Sequence, residues 1–269
     1  MSATIAIANQ KGGVGKTTLT VNLAHKYALM GYRVLVVDCD VQGHAATCLG
    51  LEKGDGLYRL LVDEEKVERV AVQARENLDL VTSSKSTARI RASLDEGAPA
   101  MTIGMLLEEA TRGYDMVFFD LAPGSDILHI GSLMACDYFL VPAKPDYLAL
   151  DGVLEIFKTV RGLAKIPNVT PPVLLGVTPT MFDRATVETL ENIRRLGEVI
   201  GRDQILAPIP VDTHVREASS RGLTIWEYAP ETAAAIGWSA EKNTQAVVNS
   251  RGRVGGFLHL VEFIEKMID

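Results

Sequence analysis

Three kinds of residue or run are scarce in this sequence, and each scarcity narrows the field. Cysteine occurs only at Cys39, Cys48 and Cys136 in 269 residues, too few and too scattered for a disulfide framework or a zinc site. A reducing compartment suits that count, and Cys39, between two aspartates at a strand end, reads as a small buried residue. Long apolar runs are missing: nothing approaches the roughly 18 residues of a membrane span, and the N-terminus lacks the basic region, apolar core and cleavage site of a signal peptide. A cytoplasmic location is the expectation. Basic charge is also short, with 27 Lys and Arg against 34 Asp and Glu and a net charge of −7. That balance argues against a strongly basic nucleic-acid binder and leaves room for a local basic patch.

What is present is an ordinary globular composition, 47% hydrophobic and 23% charged, in a chain long enough for one large α/β domain. The informative stretch is Ala8 to Thr18, Ala-Asn-Gln-Lys-Gly-Gly-Val-Gly-Lys-Thr-Thr. It follows an apolar strand candidate, Thr4 to Ala8, and opens a helical pattern from Thr17 to about Met30, which is the context of a nucleotide-binding loop. Gly12, Gly13 and Gly15 let the backbone turn its N–H groups around phosphate oxygens at a helix N-terminus. Lys16 then reaches the β and γ phosphates of a nucleotide, the Thr17 hydroxyl ligates Mg²⁺, and Val14 and Thr18 complete the cradle.

Further along, apolar runs alternate with helical patterns of 10 to 15 residues. Arg33 to Asp38, Leu78 to Thr82, Tyr114 to Asp120, Tyr138 to Pro142, Val173 to Thr178 and Ile205 to Pro210 read as strands. Ser83 to Pro99 is polar and reads as a mobile surface excursion. The alternation predicts an α/β fold, a mostly parallel twisted sheet with helices on both faces, P-loop NTPase-like. Ligands bind such sheets at the carboxyl ends of strands, where the loop, Asp38, Asp40 and Asp120 all fall.

The loop departs from the standard pattern, with Gln10 where a glycine is usual and a second lysine, Lys11, after it. Lys11 to Thr18 resembles the deviant Walker A box of the ParA/MinD family of ATPases. Asp38-Cys-Asp40-Val-Gln42-Gly43 resembles that family's switch I, with Val41 in place of proline, a change expected to loosen the turn slightly. Tyr114 to Asp120 resembles its Walker B strand, and Val215 to Ile225 its Leu-Ser-Glu-Ala-Pro-Ser-x-Gly-x-Pro-Ile segment. The resemblance covers about residues 4 to 232, within a single ATPase domain spanning 1–269 that has a divergent C-terminal segment at about 232–269.

The resemblance implies a nucleotide-dependent homodimer in which Lys11 reaches the partner's ATP. Asp40 is then the hydrolytic carboxylate, Thr17 and Asp120 hold Mg²⁺, and Asp38 serves the metal's outer shell or the loop. Pro210 and Asp212 fall where relatives contact adenine through a proline and an asparagine; an aspartate there lacks the amide donor. A ParA-type partition ATPase binds DNA without sequence preference, is nucleoid-associated and answers to a ParB-like or cargo adaptor protein. Candidates for phosphate contacts are Arg194, Arg195, Arg202, Arg216, Arg221, Arg251 and Arg253, although acids are equally frequent there and a solvated mixed face is the alternative.

Two other readings stay open. A MinD-like membrane-associated ATPase needs a basic amphipathic C-terminal helix, whereas Phe257 to Asp269 has an acidic polar face and is expected to dock on the protein's own core. A metabolic P-loop enzyme such as a dethiobiotin-synthetase-like ligase shares the loop but not the switch I and Ala-Ser-Ser-Arg-Gly segments.

Overall fold

The computed structural model describes residues 2–94, 99–239 and 248–268. Seven strands form one sheet: β1 (Ala3–Ile7), β2 (Val34–Cys39), β3 (Ala71–Arg75), β4 (Leu78–Val81), β5 (Met116–Leu121), β6 (Tyr138–Ala143) and β7 (Val173–Pro179). A separate pair, β8 (Trp238–Ser239) and β9 (Arg253–Val254), lies outside it. The helices are α1 (Lys16–Leu29), α2 (His44–Cys48), α3 (Gly56–Leu61), α4 (Val67–Val70), α5 (Ile90–Ser93), α6 (Pro99–Ala110) and α7 (Ile127–Met134). They continue with α8 (Ala149–Leu163), α9 (Val187–Ile200), α10 (Thr213–Ser220), α11 (Ile225–Tyr228), α12 (Ala233–Ile236) and α13 (Gly256–Ile268).

Alternate residues of a strand face opposite sides of a sheet, and here both sides are apolar. Ile5 and Ile7 of β1 and Val34 and Val36 of β2 enter one core, while Ala6, Leu35 and Val37 enter the other. Strands buried on both faces read as continuous apolar runs, which is why they stood out in the sequence. The first core is closed by α1 and α13, the second by α6, α7 and α8. Phe257, Leu260, Val261 and Ile264 of α13 have the spacing of one helix face and are buried, and the Tyr27 hydroxyl donates to the Val261 carbonyl at 3.2 Å. The acidic C-terminal helix therefore spends its apolar face on the core, as the sequence led one to expect. Among the described residues, no helix is long and apolar enough to cross a membrane.

The strand order is β3-β4-β2-β5-β1-β6-β7, and all pairs are parallel except β3 with β4. From β1 the chain first crosses to β2 on one side and later to β6 on the other. This makes the carboxyl end of β1 a topological switch point, where open α/β sheets hold ligands.

Two expectations need correction. Ile205 to Pro210 is not a strand: it makes only isolated bridges, Val177 with Ile205 and Phe182 with Pro210, because Pro208 and Pro210 have no N–H to give a ladder. The segment after Ser83 is not a polar excursion throughout. Ser84 caps a 3₁₀ turn over Lys85–Arg89 that runs into α5, and Ser83, Thr87 and Ile90 are buried. Residues 95–98 of that segment, and residues 240–247 of the C-terminal segment expected to diverge, lie outside the described residues.

Candidate nucleotide site

The loop between β1 and α1 is built to present N–H groups. Gly13 and Gly15 have φ of 72° and 86°, left-handed values that cost a residue with a Cβ. Gly15 caps α1 without any side-chain hydrogen bond to its first turn, so the free N–H groups and the helix dipole face the loop's hollow. Lys16 is buried beneath it, its Nζ donating to the carbonyls of Asn9 and Lys11, each at 3.1 Å. Burial pulls the Lys16 pKa down, and Asp120 and Asp40 pull it back up.

Asp120, next to last in β5, is in register with Asp38 of β2, and both carboxylates are buried. Burial raises the Asp120 pKa to about 7, against a hydrogen bond from Thr17 and the charge of Lys16. One of its oxygens is 3.4 Å from the Thr20 hydroxyl and the other, Oδ2, has no partner. A buried carboxylate with one orphan oxygen, near Thr17, is a hard-oxygen donor, and it fits a magnesium ion that Thr17 and Asp120 would hold. Asp38 is pushed well above the usual carboxylate range by burial and by Asp120. Its two oxygens accept from the Asp40 N–H at 3.0 Å and the Ala45 N–H at 3.1 Å. Those bonds fasten switch I and the start of α2 to the sheet.

Asp40 stands at the mouth of the site, lining a cavity of about 480 Å³ with Gln42, Thr87 and Pro123. It accepts from the Gln42 N–H at 2.9 Å, and its carbonyl accepts from Gly43 N–H at 2.9 Å. The turn thus closes with Val41 in place of proline. Lys11 lies at the rim, with Nζ 2.6 Å from both oxygens of Asp146 in the connection from β6 to α8. The two side chains are 25% and 33% exposed, so the ammonium is reachable from outside while Lys16 is not.

Two supports escaped the sequence reading. Gln10, in the place of the usual glycine, accepts from the Gly124 N–H at 2.8 Å and ties the loop to the turn after β5. Asn9 bridges the Lys11 N–H, at 2.9 Å, and the Pro142 carbonyl, at 2.8 Å. The departure at Gln10 was the visible signal; the partners, over a hundred residues away in sequence, were not.

Beside the loop opens a cavity of about 440 Å³, lined by Gly15, Thr18, Leu19, Met181, Pro210 and Asp212 among others. Its walls are largely apolar and its volume suits a purine base. The Asp212 carboxylate accepts from the His214 N–H at 3.0 Å, contacts the His214 ring at 2.7 Å and caps α10. Burial would raise its pKa, but the His214 bonds outweigh this and hold it below the usual carboxylate range.

The seven arginines are differently engaged. Arg194 pairs with Glu198 and Arg251 with Glu231; Arg195 lies 5.8 Å over Tyr147 and Arg221 5.0 Å over Tyr228. Arg253 donates to the Gly237 carbonyl at 3.2 Å, Arg216 lines the base-sized cavity, and Arg202 is exposed just past α9.

Comparison with known proteins agrees with this geometry. Residues 2–170 match the model of the AAA domain family. The chain is similar to the sporulation initiation inhibitor protein Soj of Bacillus subtilis, 34% identical over 86% of this chain and 93% of that one. It is 36% identical to the chromosome-partitioning ATPase Soj of Thermus thermophilus over 84% of this chain and 88% of that one. Among solved structures, apo McdA from Cyanothece superposes with a TM-score of 0.78 at 23% identity, covering 86% of this chain and 94% of that one. The septum site-determining protein MinD of Pyrococcus horikoshii, complexed with Mg-ADP, gives 0.77 at 20% identity, covering 100% and 98%. At these identities the solved structures speak for the fold, and the relatives and the matched domain speak for the family. The chain belongs to the ParA/MinD family of AAA-domain P-loop ATPases, on its Soj/ParA side.

Proposed function

We propose that this chain, as one ATPase domain, binds ATP with magnesium, dimerises around the nucleotide, and hydrolyses it to ADP and phosphate to position DNA or another cargo. The observation that carries the reading is one loop with two lysines of opposite disposition, Lys16 buried against the loop's carbonyls and Lys11 at the rim. Lys16 has its own subunit's phosphates to neutralise. Lys11 needs only to leave Asp146 to meet phosphates brought by a second copy.

Phosphoryl transfer asks the protein mainly for position and charge. Thr17 and Asp120 are the residues that would hold a magnesium ion, and the ion would neutralise charge on the phosphates. Asp40 orients the attacking water and takes its proton as the water oxygen joins the γ-phosphorus and the bond to the β–γ bridging oxygen breaks. Asp38 positions switch I, and so Asp40, through its two backbone bonds. The base stacks against Pro210 in the adjoining cavity, with Asp212 at its wall. Because nucleotide then forms part of the interface, binding energy drives association and hydrolysis ends it.

The dimer is proposed to bind DNA non-specifically on the nucleoid, through arginines among Arg194, Arg195, Arg202, Arg216, Arg221, Arg251 and Arg253, and to be released when a ParB-like or cargo adaptor protein stimulates hydrolysis. The burial of the α13 apolar face speaks against anchoring to a membrane through that helix. The experiment is size-exclusion chromatography of Asp40→Ala with ATP and Mg²⁺. The variant is expected to accumulate as a dimer with ATP and to run as a monomer with ADP; a monomer under both conditions overturns the reading.

A further inference from the structure

The described part of the segment from 232 to 256 packs against Phe182, whose backbone borders the base-sized cavity. Trp238, in β8, pairs with Val254 in β9. Its indole stacks on Phe182, with ring centroids 6.0 Å apart and planes at 17°. The Arg184 guanidinium lies 5.2 Å over the same indole. Gly255 makes the fit possible: a Cβ there would come within 2.5 Å of the indole, and the backbone has φ of +75°. The buried Asn249 donates to the Ile236 carbonyl at 2.9 Å and accepts from the Arg251 and Arg253 N–H groups, each at 3.0 Å. The two short strands are thereby held in place although neither could be stable alone.

Phe182 is the element that Trp238 steadies. Its N–H donates to the Ile209 carbonyl at 2.9 Å, and its carbonyl accepts from the Val211 N–H at 3.0 Å. It therefore joins the two walls of the base-sized cavity, Thr180 and Met181 on one side and Ile209 to Val211 on the other. Met181 sits at φ of 50°, a left-handed conformation that persists only where the surroundings enforce it. The Thr180 hydroxyl donates to the Val14 carbonyl at 2.8 Å, which carries the same wall into the phosphate loop.

The geometry points to Trp238 as a positioning residue for base recognition: by holding Phe182, it sets Met181 and Pro210 at the spacing that accepts a purine. This rests on the nucleotide reading above, and it gives the β8–β9 segment a task within the subunit's own site. Trp238 acts through Phe182, which is bonded to the Ile209–Val211 wall, while Thr180 is anchored on Val14 by its own hydroxyl, so the effect falls on the base and not on the phosphates.

Calorimetric titration of the whole chain with ADP and with inorganic tripolyphosphate, both with Mg²⁺, separates these contributions. Trp238→Ala is expected to weaken ADP by about tenfold, the scale of a lost aromatic stack and a loosened wall, and to bind tripolyphosphate as the wild type does. Trp238→Phe is expected to restore most of the ADP affinity. Unchanged ADP affinity in Trp238→Ala, or an equal loss of both ligands, overturns the inference. If Trp238→Ala does not fold, Trp226→Phe leaves Trp238 as the single tryptophan: its emission is expected to respond to ADP and not to tripolyphosphate, and an emission blind to ADP overturns the proposal. A wild type that binds neither ligand overturns the nucleotide site itself, and the inference with it.

Discussion

At the scale of single residues, the site is a set of groups whose pKa values burial moves away from their ordinary ones. Asp38 and Asp120 share a register, and burial biases both toward protonation; a cation is the group that relieves such a pair. His129 shows the opposite case. Its Nδ1 lies 3.2 Å from the Ala122 carbonyl, which can only accept, so that nitrogen carries the proton. Nε2 is buried without a partner, and burial lowers the His129 pKa below the ordinary 6.5, with Asp126 opposing and Lys16 assisting. A group depressed in the folded state stabilises above its unfolded pKa and loses that contribution as pH falls through the folded value. Wild-type protein is therefore expected to lose more of its urea midpoint between about pH 7.5 and about pH 5.5 than His129→Gln does. Parallel pH profiles of the two proteins would show His129 to be uninvolved.

At the scale of elements, legibility followed burial. β1, β2, β5 and β6 are buried on both faces and announced themselves as apolar runs, and the Gly-Lys-Thr turn marked where α1 begins. β3 was invisible because Ala71–Arg75 is an edge strand with little apolar content, held by its antiparallel partner β4. Ile205 to Pro210 misled in the other direction: its side chains suit a strand, its prolines do not. At the site, the residue types were readable and their partners were not. Nothing local to Lys11 indicates Asp146, and nothing local to Phe182 indicates Trp238; the first pair is made by β1 lying beside β6 in the sheet, the second by the packing of the separate β8–β9 pair. The C-terminal helix was legible because Phe257, Leu260, Val261 and Ile264 recur at helical spacing. If α13 is a structural lid on the core, Leu260→Ala should cost about 3 kcal/mol of stability, the usual size for a fully buried leucine. Urea denaturation measures this, and a change within error would mean that the helix is not seated there.

For the whole molecule, charge sets the terms. A chain of net charge −7 would meet DNA against its own average field, so the proposed DNA binding rests on local arginine contacts and on their doubling in the proposed dimer. Association with DNA is expected only with ATP and to fall steeply between about 50 mM and about 200 mM salt. Mobility-shift titrations at several salt concentrations test this, and salt-insensitive or ATP-independent shifts would remove the DNA proposal while leaving the ATPase intact.

Lys11 is proposed to serve the other subunit's nucleotide, and one mixing experiment reaches this role directly. Lys11→Ala and Asp40→Ala should each hydrolyse ATP poorly alone. Mixed in equal amounts, they form heterodimers in which the site on the Lys11→Ala subunit keeps its own Asp40 and receives Lys11 from the partner. Hydrolysis by the mixture is predicted to return to roughly a quarter of the wild-type rate, one restored site in half of the two-fold dimers. A mixture no more active than its two components would contradict the account, because a lysine acting within its own subunit leaves both sites of every heterodimer incomplete.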